Sequence, residues 1–369
     1  MTNFVQLIKN RLGRRTTDPE QIKKNRLSER NVQLVLAIVL FFAIMVIYKP
    51  DTFLTPRSIQ SMLIQIADLG IFAMAMSITM IAGGIDLSII NLANLVAVVN
   101  ALLLKSIVTD STSSGMIWLI LLMCLAIALV IGFIGGVINS FLIANLGIPE
   151  ILATLATMNL YLGISLIITQ GRGIIGFPEQ LLNIGSGNFI GIPLPFIVFL
   201  IIAGALYIFI HRTPYGTELK LFGLNQKATF FSGINNKTVV YKTHIIACMS
   251  AAVAGLLIMA RTNSATVDYG GQMILTTLLI GVLSGIPATG GAGSIISIFL
   301  ALFLNQLINS GLNLLRVSSF IREMVPAALL VTIVSLEYYL YTTSERRLNR
   351  LVLKKNLEEA ENSQGAVNE

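Results

Sequence analysis

Charge is scarce in this sequence. Asp, Glu, Lys and Arg together make up 12% of its 369 residues, against about 25% in a typical soluble domain. A chain so poor in charge cannot surround a core with a solvated shell, which excludes an ordinary water-soluble globule. Cysteine is nearly absent. Cys124 and Cys248 both fall inside apolar runs, which excludes a disulfide framework and a thiolate metal site and leaves two buried, inert thiols. Histidine is as rare. His211 and His244 are the only two, both read as lying at cytoplasmic span ends, and no His-Glu-X-X-His stretch occurs. No nucleophile–base pair can be assembled, so no catalytic residue, no metal and no cofactor is expected. The dipeptide Gly-Lys does not occur. A phosphate-cradling loop with its lysine is therefore excluded, and any ATP used with this chain is handled by another polypeptide. The first 30 residues contain no apolar h-region, so no cleavable signal peptide is expected. The apolar runs do not alternate with polar residues, which excludes an outer-membrane barrel.

What is abundant is apolar length. Hydrophobic residues make up 55% of the chain, and the mean hydropathy is +0.81. Ten spans are expected: Val32–Tyr48, Ile59–Ala82, Leu87–Leu104, Ile117–Ala144, Ile151–Thr169, Phe196–Ile210, Val239–Ala260, Met273–Ile286, Ser294–Ser310 and Ile321–Tyr341. They must be helices, because unpaired backbone groups cannot face hydrocarbon. The fold class is an all-α polytopic membrane protein with both termini cytoplasmic. The spans Phe196–Ile210 and Met273–Ile286 are short for a core of about 30 Å, and one of them is expected to be longer or broken. The domain plan is a basic leader over 1–30, a membrane domain over 31–342 with a cytoplasmic loop over 212–238, and a tail over 343–369.

The sparse cations set the orientation. With a cytoplasmic N-terminus, eighteen of the 25 Lys and Arg residues fall in the leader, the central loop and the tail, and seven fall outside. That asymmetry obeys the positive-inside rule. The net charge of +7 is read as topology-setting charge beside the bilayer. No aromatic–basic module accompanies it, so nucleic acid is not a partner.

Polar residues inside spans tend to face a bundle interior or a wet cavity. Gln65, Asn91, Asn94, Asn100, Asn139, Asn159, Gln306 and Asn309 are of this kind, and Asn91 and Asn94 share a helix face. Gln65, Asp86, Asn91, Asn94, Asn159, Gln306 and Asn309 are the candidates for a translocation path, although each taken alone better suits an interhelical hydrogen bond. Asp68 is the one acid well inside a span; a backbone or hydroxyl partner is expected for it rather than a proton relay. Asp86 follows Gly83 and Gly84, where it would be the N-cap of the third helix or part of a hinge. Gly132, Gly135, Gly136, Gly290, Gly291 and Gly293 suit close helix packing. Arg172, Arg261, Arg316 and Arg322, with Asp268 and Glu323, read as outer charges, either solvated or available to a docking partner.

The central loop is the unusual soluble piece. It holds a Pro214-Tyr215-Gly216 turn, a short helix from about Asn225 to Ser232, and a stop at Gly233. Phe222, Phe230 and Phe231 are exposed there unless something covers them. An amphipathic cytoplasmic helix with aromatic knobs suits a partner groove, and it also suits the lipid interface.

Four segments resemble one family, the permease subunits of ribose-, xylose- and galactose-type ATP-binding-cassette importers. Thr79 to Ser88 is similar to its Gly-Gly-Ile-Asp-Leu-Ser signature, and Ile148 to Leu155 to its Pro-Phe-Ile-Ala-Thr-Leu segment. Gly216 to Ile234 is similar to the loop that meets the ATPase. Thr289 to Ser294, with Asn309 to Leu314, resembles its late glycine-rich stretch. The likeness spans roughly residues 35 to 340. It implies that Gly216, Gly223, Asn225, Ala228, Phe231, Ser232, Gly233 and Ile234 form an ATPase-coupling element. It also implies separate ATPase subunits, an identical or homologous second permease subunit, an extracytoplasmic sugar-binding protein and a bacterial inner-membrane location. Amino-acid and nucleoside permeases share a related plan. A self-contained ion-coupled transporter is disfavoured by the sparse buried acids.

Overall fold

In a computed structural model, the backbone is described for residues 19–109, 112–287 and 289–335, and side chains from residue 30 onward. The first half of the leader and the whole tail lie outside these residues. Helix α1 runs Pro19–Tyr48, so the second half of the leader is already helical. A single turn, α2 (Pro50–Phe53), leads to α3 (Pro56–Ala82). Then come α4 (Ile89–Ile107), α5 (Ser114–Ala144) and α6 (Glu150–Thr169). Short strands β1 (Ile174–Ile175), β2 (Asn188–Phe189) and β3 (Ile192–Pro193) flank α7 (Glu179–Ser186). Helix α8 (Leu194–His211) re-enters the bundle. Two short helices, α9 (Pro214–Leu224) and α10 (Gln226–Phe231), form an arm. After the arm come α11 (Asn236–Thr262), β4 (Ser264–Ala265), α12 (Met273–Leu283) and α13 (Ile295–Leu314). A last helix, α14, covers 319–335. β1 pairs antiparallel with β4, and β2 with β3.

Every expected span is met by a helix. Among the described residues eight are long and apolar enough to cross a membrane, and α12 is apolar but shorter. Of the two spans expected to be short, α8 extends to 18 residues, whereas α12 stops at 11. Its end is explained by Gly285, which adopts a left-handed φ of +87°, and by Pro287 beyond it. The last expected span runs past residue 335, outside the described residues.

Local signals fix the ends. Thr55 caps α3 by accepting from the N–H of Ser58, with Pro56 at the first helical position. Gly83 closes the same helix at φ +94°, and the N–H groups of Gly83 and Gly84 return to Met80 and Thr79 carbonyls. The third-span helix begins at Ile89, two residues later than expected, because residues 84–86 run irregularly after that stop. Asp86 is therefore not the N-cap; Ser88 holds that position.

Helix α3 is the hub. Its apolar window is 89% buried, against 11% for α1, which lies at the edge. Helices α5 and α11 pack closely, and small residues make it possible. A Cβ on Gly136 would sit 2.5 Å from Ile245 Cα, and one on Gly132 2.9 Å from the Cys248 carbonyl oxygen. Backbones approach closely where side chains vanish, which is how helices gain contact without a hydrophobic driving force. Both cysteines are buried and free.

Candidate translocation path and coupling arm

The arm end and the opposite end of the bundle carry different chemistry. At the arm end, α9 opens with Pro214 at its first position and continues through Gly216. The expected Pro-Tyr-Gly turn is thus a helix start, since proline suits a position whose N–H has no partner anyway. Asn225 ends α9 and caps α10, its Oδ1 accepting from the N–H of Lys227 and Ala228 at 3.0 Å each. Gly233 stops α10 in the left-handed region at φ +81°. Phe222 is covered by the chain itself, whereas Phe230 and Phe231 are 66% and 85% exposed. Ala228 and Ser232 are exposed and Ile234 is half-buried. Tyr215 is buried and exchanges a 2.8 Å hydrogen bond with Thr243 of α11.

The arm is clamped to the bundle through glycines. A Cβ on Gly216 would overlap the Ile210 carbonyl, and one on Gly223 would lie 2.2 Å from the Ile81 oxygen and 2.5 Å from the Gly291 nitrogen. The Gly291 N–H donates to that same Ile81 carbonyl at 2.8 Å. Gly290 packs on the Gly83 backbone, 2.5 Å from a built Cβ. Three segments that read separately in sequence, ending at Gly83, Gly223 and Gly291, therefore meet at one joint. The root of the arm is thus in direct contact with the end of the hub helix.

Beside the joint lies a buried polar cluster. Asp86 is fully buried. Its Oδ1 accepts from Ser88 N and Oγ at 2.9 and 2.6 Å, and its Oδ2 from Asn139 at 3.1 Å. His244 Nδ1 lies 3.0 Å from the same Oδ2, and His244 Nε2 lies 3.5 Å from Glu150 Oε1. Thr157 donates to Asn139 Oδ1 at 2.7 Å. His244 was expected at a span end; instead it lies 1% exposed within α11. A carboxylate stripped of water needs donors on both oxygens, and this one has them.

At the opposite end, α3, α11, α12, α13 and α14 enclose an open polar cavity of about 520 Å³. Gln65, Gln306 and Asn309, expected on a path, all line it. Gln306 donates to Gln65 Oε1 at 3.2 Å and to Ser310 at 3.1 Å. The other path candidates lie elsewhere. Asp86 is in the buried cluster. Asn91 donates to the Met158 carbonyl, and Asn94 to the Val267 and Tyr269 carbonyls, tying α4 to its neighbours. Asn159 is exposed on α6 and bonds its own helix at Leu155.

Asp68 also lines the cavity. Its partner is neither backbone nor hydroxyl but Arg261, whose Nε lies 2.6 Å from Asp68 Oδ2. Arg261 also donates to the Tyr269 hydroxyl, so it is not a free outer charge. Arg322 and Glu323 line the same cavity. Sequence reasoning missed the Asp68–Arg261 pair and the His244–Asp86–Glu150 contact. The partners are 193 and 158 residues apart in the first two cases, and no local spacing signals such pairs.

A helical bundle with a polar mouth at one end and a glycine-jointed arm at the other defines a multi-pass membrane transport subunit. The chain belongs to the family described as branched-chain amino acid transport system / permease component, which matches residues 58–334. It is 32% identical over 308 residues to the ribose import permease protein RbsC of Bacillus subtilis (strain 168), covering 82% of this chain and 91% of that one. It is 27% identical over 314 residues to the autoinducer 2 import system permease protein LsrD of Enterobacter sp. (strain 638), covering 82% and 90%. It is 28% identical to the ribose import permease protein of Haemophilus influenzae (strain ATCC 51907 / DSM 11121 / KW20 / Rd) over 83% and 93%. No solved structure matches the chain. The chain is thus a permease subunit of an importer and not itself an enzyme.

Proposed function

We propose that this chain is the membrane subunit of an ATP-binding-cassette importer for a monosaccharide or a related small polar solute. It works in the bacterial inner membrane as a pair with an identical or homologous permease subunit. The polar cavity faces outward and receives solute from an extracytoplasmic binding protein. The arm faces the cytoplasm, where Phe230 and Phe231 seat in a groove of a separate ATPase subunit. The carrying observation is the joint: two aromatic rings, 66% and 85% exposed, sit on an arm whose root is packed against the hub helix at Gly223 and Ile81. An exposed aromatic pair on a short helix suits a partner groove, and the joint gives a partner's motion a route into the spans. The two ribose permease relatives favour a sugar.

The joint and the cavity support the following sequence of steps. Solute enters the cavity among amides that hold it by neutral hydrogen bonds, weak enough for release. Closure of the ATPase pair displaces α9 and α10. The glycine joint transmits that displacement to α3, whose other half carries Gln65 and Asp68, so the cavity closes outward as the inner end opens. The test is co-purification and uptake with Phe230→Ser/Phe231→Ser. The variant should reach the membrane at normal yield, lose the co-purifying ATPase and lose ATP-dependent ribose uptake. Retained co-purification would refute the docking assignment, and uptake that persists with the ATPase subunit deleted would favour an ion-coupled carrier. The family's description names branched-chain amino acids; competition of ribose uptake by leucine would favour that substrate class.

A further inference from the structure

Glu150 is an acid that the proposed transport steps leave without a role. It opens α6 at the arm end of the bundle and stands where the family's Pro-Phe-Ile-Ala-Thr-Leu segment has phenylalanine. Its carboxylate lies over the backbone of Gly84, where a Cβ would overlap it. Gly84 in turn sits between Gly83 of the joint and Asp86 of the polar cluster. The side chains of Asp86 and His244 are 0% and 2% exposed, and that of Glu150 is 17% exposed. Glu150 is thus the member of the three that reaches the surface.

The hydrogen-bond pattern fixes how many protons the cluster holds. Asp86 already accepts at both oxygens, from Ser88 and Asn139. It is therefore a carboxylate, and His244 must carry hydrogen on Nδ1 to face Oδ2 at 3.0 Å. A neutral imidazole protonated at Nδ1 presents only a lone pair at Nε2. Glu150 Oε1 lies 3.5 Å from that nitrogen, is buried and has no hydrogen-bond partner of its own. Two bare acceptors would repel there. One proton between them removes the conflict, whether it resides on Nε2 or on the carboxyl, and both arrangements have the same total charge. At 3.5 Å this limb is longer than a formed hydrogen bond, whereas the Asp86 limb is not. The weaker limb is the one that opens. Beyond the pair, α11 contributes Cys248, 3.9 Å from Asp86 Oδ2. Helix α6 contributes Tyr161, and α5 the neutral amide of Asn139. Among the described residues no Lys or Arg pairs with Asp86 or Glu150.

We propose that Glu150 and His244 form a one-proton latch at the arm joint. With the proton in place, α6 is held to α11 across the segment from Gly83 to Asp86, and the joint keeps the arrangement in which the cavity is open at the other end. Loss of the proton sets a lone pair against a carboxylate, frees Glu150 and loosens the segment that links α3 to α4. The latch rests on the importer reading for what the joint drives. It adds a regulation, in which rising pH on the arm side weakens the hold on the joint. Glu150 and His244 are positioning residues in this role.

The test compares the full chain with Glu150→Gln as pH is raised from about 6 to about 9, across the range where imidazole changes charge. A glutamine amide donates to Nε2 without titrating, so it keeps the latch closed throughout. The thermal midpoint of the detergent-purified unmodified chain should fall by a few degrees relative to the variant over that range, the scale on which one lost hydrogen bond acts. Solute-free ATP hydrolysis by the assembled complex should rise several-fold more with pH in the unmodified protein than in the variant. His244→Gln, whose amide still donates to Asp86, should remove both pH steps, and it serves if Glu150→Gln does not accumulate. Midpoint differences that stay constant with pH would overturn the latch, as would hydrolysis that rises equally in all the proteins. The midpoint is read on the isolated chain and needs no ATPase, so its failure is separable from failure of the importer reading, which turns on whether uptake requires the ATPase subunit.

Discussion

Asp86 and His244 should behave as one buried unit, and a double-mutant cycle measures how strongly. Replacing Asp86 by Ala leaves His244 Nδ1 and both donors of Ser88 facing no acceptor, and Asn139 Nδ2 with Ser88 Oγ alone. Breaking a buried charged pair from one side costs about 3–5 kcal/mol. Replacing His244 by Ala removes one donor and leaves Asp86 three, so the hydrogen-bond loss is about 1–3 kcal/mol, with a further contribution from the space the imidazole vacates. In the double variant the histidine is no longer stranded. Its cost should fall short of the summed single costs by about 1.5 kcal/mol or more, since partners in one network couple by 0.5–3 kcal/mol. The assay is the apparent thermal midpoint of the detergent-purified protein, with all four proteins heated at one rate, because unfolding of such proteins is a kinetic measurement. The single Asp86→Ala variant should have the lowest midpoint of the two singles, and the double should lie close to it or above it. Midpoint losses that simply add would refute the network.

The glycines give sharper predictions because each has a built-in control. Gly136→Leu places a side chain where Ile245 Cα is 2.5 Å from a built Cβ; it should separate α5 from α11 and abolish accumulation in the membrane fraction on immunoblots, whereas Gly163→Leu, with nothing within 4 Å, should accumulate normally. Gly223→Val strikes the Ile81 carbonyl and should destroy uptake. Gly233→Ala meets open space at φ +81° and should cost only about 1–2 kcal/mol of local strain, leaving membrane yield unchanged. Arg261→Gln leaves the buried Asp68 unpaired and should lower the thermal midpoint as a loss of about 3–5 kcal/mol would, more than removal of the exposed Arg316 does.

Much of this architecture was legible in the sequence because lipid imposes simple demands. Apolar length gave all ten helix positions, and Gly83 and Gly233 announced their roles as helix stops through chemistry that acts within a few residues. The short helix of the arm was read almost to the residue. What escaped was nonlocal. Asp68 could not be matched to Arg261, which a charge count places among outer loops although it ends α11 inside the cavity. His244 looked like an interfacial residue because its helix begins at Asn236, only two turns earlier. Asn91, Asn94 and Asn159 showed the polarity of path residues, yet two tie helices to neighbouring carbonyls and the third turns outward. Polarity in a span says that a partner is needed; which partner depends on the rotation of the helix, and that is decided by packing.

The account depends on which end of the bundle faces which side, and impermeant maleimide labelling of intact cells measures this directly. With both native cysteines buried, two reporters suffice: Asn313→Cys at the cavity mouth and Phe231→Cys on the arm. The account predicts that Asn313→Cys labels in intact cells and that Phe231→Cys labels only after the membrane is permeabilised. Labelling of Phe231→Cys from outside would invert the molecule and contradict both the docking of an ATPase on the arm and the delivery of solute to the cavity.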